Sequence, residues 1–418
     1  MMQPKRRKPT RAFLCAALAL LFSLHEGFLH AQQSLSLHDA IRIGLAQAPE
    51  ARTSSDRVDL QRAQIAGAKL RPNPRLYLQS EDLRPWDDNF TFADNTEDYG
   101  YLSQTFELDG KRGKRIAYAE GGLRRTEAEH RFQLGIITAG IADAYWAAEA
   151  TRAAVTEWQG QLAGFDRIVQ YQSDRVQSGA TAGVDLLRTE IERDRIALSY
   201  AQAQRMAEAA DIELARRTAS LSARTATLTE PLASERTVPE IPLTTAVDQR
   251  ADVVAAREAL NEAHAEIRLQ HAYAVPDVDF FGGYKRNSGF NTAYGALQYD
   301  LPFFNRNQGG IATAHASEQL AEDQLAYTRL TASSEIETAL SDYRREQALV
   351  RATLPGMGDR ATQNSAIISD AYRSGGTDLL RYLDAQRILI DTHLLAIQTW
   401  TEYQRAVVAL QLAYGEQP

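Results

Sequence analysis

Six histidines follow residue 31: His38, His130, His264, His271, His315 and His393. His264 and His271 stand seven apart, so on a helix they share a face two turns from one another. That spacing is a weak metal signal, no HxxxH pair accompanies it, and solvated or inter-helix histidines are the plainer expectation. Neither a phosphate-cradling glycine loop nor a nucleophile motif occurs. The sequence calls for no metal, no cofactor and no catalytic residue. Asp185 and Asp378 have a more definite task. Each opens a helix-like stretch after a turn rich in Gly, Ser and Thr, where a carboxylate can cap free backbone N–H groups. Both stand in the same run, Asp-Leu-Leu-Arg, at 185–188 and 378–381.

That match belongs to an internal repeat. At an offset of 202 residues Glu50 meets Asp252, Ala63 meets Ala265, Ile65 meets Ile267 and Pro74 meets Pro276. At 195, Tyr99-Gly100 meets Tyr294-Gly295, Leu102 meets Leu297 and Ile116-Ala117 meets Ile311-Ala312, and at 193 the Asp-Leu-Leu-Arg runs coincide. A collinear series with a slowly drifting offset marks a duplicated unit. Each half reads as helix, two strands, long helix, tight turn, long helix. No proline interrupts Trp86 to Glu230, and Trp158, Leu162, Phe165, Ile168, Val169 and Val176 form a helical apolar stripe. A helix over 110–178 would reach roughly 100 Å at 1.5 Å per residue, more than a globular domain needs. The second half repeats this from Asn307 to Ser374, with Pro355-Gly356 as the expected break.

The N-terminus has a basic stretch, Lys5 to Lys8, then an apolar run from Ala12 to Phe22. This is the pattern of a secretory signal ending near Ala31, with a membrane anchor as the alternative. The one cysteine, Cys15, would leave with it, and the net charge would go from −8 to −12. A cysteine-free acidic chain suits an oxidising compartment and is a poor nucleic-acid binder. No later segment holds the roughly 20 apolar residues of a membrane helix.

The strand segments have another character. In Asp277 to Lys285, Val278, Phe280 and Tyr284 share one face and Asp277, Asp279 and Lys285 the other. Such alternation fits strands between lipid and water, although Phe281 and Gln104 fall on the opposite face to the one their chemistry suggests. The polar segments 82–97 and 286–291 would close two hairpins. Four strands cannot close a membrane barrel, so membrane strands would require several chains to share one. A soluble periplasmic coiled coil is the alternative from another class.

Five segments in order carry a family resemblance: "SLSLHDAIRIGLAQAPEARTSS", "LSQTFELDGKRGKR", "RVQSGATAGVDLLRTE", "LPFFNRNQGGIATA" and "AYRSGGTDLLRYLDAQR". Over essentially the whole chain past residue 31 the sequence resembles the TolC family of outer-membrane efflux channels, and "PFFNRNQG" resembles the CzcC-type branch of heavy-metal exporters. The resemblance implies a mainly α chain of two repeats, with very long helices forming a trimeric α-barrel. Its four strands per chain would enter one shared twelve-stranded barrel in outer-membrane lipid. It implies a signal over 1–31, a first repeat over 32–220 with strands near 74–81 and 98–108, a linker over 221–242 in an equatorial region, and a second repeat over 243–418 with strands near 277–285 and 292–301.

It further implies a passive export duct in the Gram-negative outer membrane with its helices in the periplasm. The duct would work with a periplasmic adapter protein and an inner-membrane transporter of the resistance-nodulation-division type, its cargo metal cations or, alternatively, drugs, solvents or a secreted polypeptide. By motif alignment Asp185 and Tyr372 fall on two partners of a polar link that narrows the periplasmic aperture, and Asp384 on a pore-facing aspartate. Thr377 stands where well-known members carry arginine, and Arg381 where they carry a second ring aspartate, so Arg373 or Arg381 would supply the cation. Asp378 completes the aperture set. Gly179, Thr181 and Gly183, with Gly375, Gly376 and Thr377, form the helix turns expected to meet the adapter. Gly110, Gly113, Gly309 and Gly310 mark the two strand-to-helix junctions, where glycine permits unusual backbone angles.

Overall fold

A computed structural model of the chain describes residues 34–287 and 289–415; the expected signal segment and Cys15 lie outside them. The first half runs through β1 (Ser34–Leu35), α1 (Leu37–Gln47), α2 (Pro49–Ala68), β2 (Arg75–Glu81), a short turn of helix α3 (Phe92–Asn95), β3 (Glu97–Phe106), α4 (Lys111–Gln177) and α5 (Gly183–Arg217). A connecting segment carries a 3-10 turn at Leu221–Arg224 and β4 (Thr227–Leu228). The second half repeats the order with α6 (Leu243–Gln249), α7 (Ala251–Tyr273), β5 (Val278–Asn287), β6 (Phe290–Tyr299), α8 (Gln308–Ala348), α9 (Leu354–Arg373) and α10 (Leu379–Ala413).

The two halves differ at the long ascending helix. In the first, α4 is unbroken over 67 residues, as expected of a stretch without proline. In the second, Leu349–Thr353 widens into a π-helical turn between α8 and α9, and Pro355 stands immediately beyond it. Proline offers no N–H and crowds the carbonyl four residues back, so the break falls just before it, and one wider turn absorbs it.

The two hairpins form one antiparallel sheet in the order β2-β3-β5-β6. The register places Leu76 opposite Leu102, Phe280 opposite Leu297 and Val278 opposite Tyr299, so these side chains share one face. The other face carries the Glu97–Lys285 ion pair and an aromatic group in which Tyr77 stacks on Tyr101 at 4.8 Å, with Phe281 and Tyr294 each 5.9 Å from Tyr101. Phe281 therefore lies on the polar face because it has aromatic company there. Tyr101 faces Gly283, whose missing side chain lets the backbone and Cβ of Tyr101 come close. Gln104 is accommodated on the apolar face by donating to the Pro72 and Thr105 carbonyls. Toward the hairpin end β5 and β6 run past the expected bounds, Asn287 pairing with Phe290 and Gly289 taking φ +85° where a loop over 286–291 was expected, while β6 ends at Tyr299, short of 301.

The core sits at the waist. Tyr145, Trp146, Ile141 and Leu214 are buried with Leu37 in one cluster, and Tyr403, Val407 and Leu410 with Ile336 and Tyr343 in a second. The connecting segment is built into both. β4 pairs in parallel with β1, Gln404 donates to the Leu232 and Ser234 carbonyls, and the Tyr403 and Tyr343 hydroxyls both donate to the Arg236 carbonyl. The Arg236 guanidinium lies over the Trp146 ring and pairs with Glu230.

Candidate conduit, junctions and periplasmic aperture

At the end of the molecule away from the sheet, α4 turns into α5 and α9 into α10 through two related corners. Ser178 ends α4, Gly179 takes φ +70°, and the Gly179 and Ala180 N–H groups donate to the Val176 and Arg175 carbonyls. Ser374 ends α9, Gly375 takes φ +78°, and the Gly375 and Gly376 N–H groups donate to the Tyr372 and Ala371 carbonyls. Both are Schellman closures, which explains a glycine directly after each serine. From there the corners diverge. Asp378 is the residue before α10, and its carboxylate accepts from the Arg381 N–H at 2.9 Å, a helix cap. Asp185 lies inside the first turn of α5, after Gly183, and caps no backbone N–H; it accepts from the Thr181 hydroxyl at 3.1 Å. Both corners span five residues, 178–182 and 374–378, but Asp185 lies seven positions after Ser178 and Asp378 only four after Ser374, so the matched aspartate falls inside its helix in the first repeat and just before it in the second.

The Asp185–Tyr372 link expected from the resemblance is not formed within the chain. Tyr372 is buried, and its hydroxyl accepts from Gln172 on α4. Its ring stacks on Tyr382 at 5.0 Å and meets Tyr171 edge-on at 6.1 Å. Ile168, Leu379 and Leu383 complete this cluster, which ties the first hairpin to the second near the tip. Burial pushes the Tyr372 phenol above its ordinary range and Tyr382 up to about 12. Thr377 has a buried hydroxyl without a partner among the described residues. Asp384 and the Arg381 side chain are exposed and make no ion pair there, while Arg373 lies 3.8 Å from Asp370. Gln172 was not picked out in the sequence, because a glutamine within a polar stripe carries no signal of its partner.

At the sheet end the junctions are not the glycine-built turns expected. Gly110 does take a left-handed conformation at the start of α4, φ +63°. Gly113, Gly309 and Gly310 are helical, and in the second repeat the left-handed residue is Asn307, φ +55°. Asn307 donates to the Gln270 carbonyl at 2.7 Å and so binds α8 to α7; a Cβ on Gly310 would collide with these two side chains. In the first repeat Asp277, just before β5, accepts from buried Lys111 at 2.5 Å and from the Leu108 N–H at 3.0 Å. Each junction is therefore clamped by the element next to it. Arg112 and Arg115 in turn donate to the Lys69, Ala68 and Leu70 carbonyls at the end of α2.

The histidines pair between and along helices. His264 and His315 both meet Glu318, at 3.1 and 3.2 Å, His393 meets Glu157 at 2.9 Å, and His130 meets Ser54 at 2.7 Å. Among the described residues no group of three or more His, Asp or Glu side chains converges to hold a metal. Among the described residues no helix is long and apolar enough to cross a membrane.

Two hairpins of very long helices, joined by a four-stranded sheet with one apolar exposed face, define a protomer of the TolC-type channel fold. Residues 243–416 match the family described as Outer membrane efflux protein. The cobalt-zinc-cadmium resistance protein CzcC of Cupriavidus metallidurans is 26% identical over 91% of this chain and 90% of its own. The nickel-cobalt-cadmium resistance protein NccC of Alcaligenes xylosoxydans xylosoxydans is 28% identical over 80% of this chain and 76% of its own. Among solved structures, the CusC channel superposes with a TM-score of 0.76 at 18% identity, covering 94% of this chain and 96% of that one.

Proposed function

We propose that this protein is the outer-membrane duct of a tripartite exporter of heavy-metal cations. It would act as a homotrimer with a periplasmic adapter and an inner-membrane transporter of the resistance-nodulation-division type. The observation that carries the cargo is the near end-to-end similarity to a cobalt-zinc-cadmium resistance protein. The trimer rests on the sheet: its outer strands β2 and β6 each have one unpaired edge, and lipid does not tolerate open edges. Three sheets closed on one another satisfy every strand. Transport through such a duct needs no catalytic residue, and the energy comes from the inner-membrane partner.

Asp384 is the residue we assign to the pore at the periplasmic end. Three unpaired carboxylates around one axis attract cations and repel anions. Asp384→Ala is expected to weaken cation selectivity and divalent-ion block in planar bilayers while leaving the melting temperature unchanged; unaltered selectivity removes it from the pore. The adapter is assigned to the corners at Gly179–Gly183 and Gly375–Thr377. Cargo is tested in a strain lacking redundant exporters. Deletion of this gene should sensitise cells to cobalt, zinc or cadmium. Unchanged metal tolerance with new sensitivity to dyes and detergents would transfer the reading to organic cargo.

A further inference from the structure

The most exposed large hydrophobic side chain among the described residues is Phe304, at 94%, and it does not stand alone. Leu301 at 66% and Phe303 at 70% lie beside it in the segment between β6 and α8. Across the sheet, Leu70 between α2 and β2 is 68% exposed. These residues follow directly from the apolar face that carries Leu76, Leu102, Phe280 and Leu297, at the end where strands give way to helices. Strands of ten residues, tilted as in membrane barrels, cover an apolar band about 25 Å tall. The exposed Leu and Phe residues lie just beyond that band, where aromatic side chains favour a membrane–water interface.

The charge at this level is of the opposite sign to the chain as a whole. The carboxylates Glu107, Asp109 and Asp277 are each engaged by Arg115, Lys114 and Lys111. Lys69, Arg71 and Arg306 are exposed and make no ion pair among the described residues, and Arg112 meets only a backbone carbonyl. Asp300 is the exposed carboxylate on the same segment. A surplus of free cations thus accompanies exposed aromatics in a protein whose formal charge is −8.

We infer that the two strand–helix junctions form a collar that binds anionic phospholipid headgroups in the periplasmic leaflet of the outer membrane. Phe303 and Phe304 enter the interface, while Lys69, Arg71, Arg112 and Arg306 hold the phosphates. The collar rests on the trimeric reading in one respect: β6 of one protomer meets β2 of the next, which places Leu301–Arg306 beside Leu70–Arg71. Its role is to fix the depth and tilt of the duct, so that the helical hairpins meet their periplasmic partners at a set height.

The test uses the full protein in lipid nanodiscs. Phe304→Trp, read against the parent with its four tryptophans, should show emission quenched by shallow brominated phospholipids and protected from aqueous iodide. Iodide quenching without lipid quenching would overturn the collar and assign the segment to water or to a protein partner. In mass spectrometry from detergent, the parent should retain phosphatidylglycerol over phosphatidylcholine, each cation contributing about fivefold. The triple variant Lys69→Gln, Arg71→Gln, Arg306→Gln should lose that preference, and its persistence would also overturn the proposal. Oligomer mass on the same sample reports separately on the trimer, and the quenching result decides the collar whichever mass is found.

Discussion

At the scale of single residues, the two matched aspartates provide a sharp contrast. Asp378 accepts a backbone N–H and Asp185 does not. Asp378→Ala should therefore cost about 0.5 to 2 kcal/mol of stability, as loss of a helix cap does, while Asp185→Ala should change it little. Thermal melting of the two variants checks this, and equal losses would contradict the assignment. Tyrosine burial sets an alkaline limit. Desolvation raises Tyr145 and Tyr382 to about 12 from an ordinary value of 10. A phenol that ionises later in the folded chain than in the unfolded one supplies stability that is complete below pH 10 and is lost as pH climbs toward 12. Melting temperatures should fall across that window, and Tyr382→Phe should flatten the fall. Tyr372→Phe takes away the acceptor for the Gln172 amide, whose oxygen already has no partner among the described residues. A loss of about 1 to 3 kcal/mol is expected from the orphaned buried group, seen as a lower melting temperature.

At the scale of elements, the sheet and its junctions depend on small residues for packing as much as for turns. Gly283 lies opposite Tyr101 in the register, and a Cβ there would enter the space of that side chain and its backbone. Gly283→Val should displace the Tyr101 ring, break its contacts with Tyr77, Phe281 and Tyr294, and lower the yield of heat-stable protein in the outer membrane. Normal yield and normal electrophoretic heat-modifiability would show that the aromatic group is dispensable. The helices follow a different logic. α4 runs unbroken because no proline in it interrupts hydrogen bonding, whereas its counterpart passes through a π turn next to Pro355.

At the scale of the whole molecule, one protomer is incomplete. Its sheet leaves two edges open and exposes Leu76, Leu78, Phe280 and Leu297 on a face with no protein cover. Mass measurement in mild detergent should give three chains per particle. A stable folded monomer would refute the shared barrel. The waist is the counterpart of this incompleteness. Its two cores are self-contained within the chain, and the connecting segment is pinned there by Tyr145, Tyr343, Tyr403 and Gln404. The hairpins can therefore fold on a base finished within one chain.

The duplication, the long helices and the alternating strands were legible in the sequence because each is a periodic or collinear signal carried by many residues. The family segments were legible for the same reason, being five motifs in fixed order. What remained hidden was set by pairing across the fold. Lys111 meets Asp277 across 166 positions, and Gln172 meets Tyr372 across 200. No local pattern records such partners. The glycines of the second junction read as the turn, yet Asn307 takes the left-handed angle and the glycines are helical. Asparagine tolerates that conformation, and its amide gains the Gln270 carbonyl only once α7 and α8 lie side by side. Composition could thus dictate that the chain turns from strand to helix there; only the packing of neighbouring helices decided which residue bears the turn.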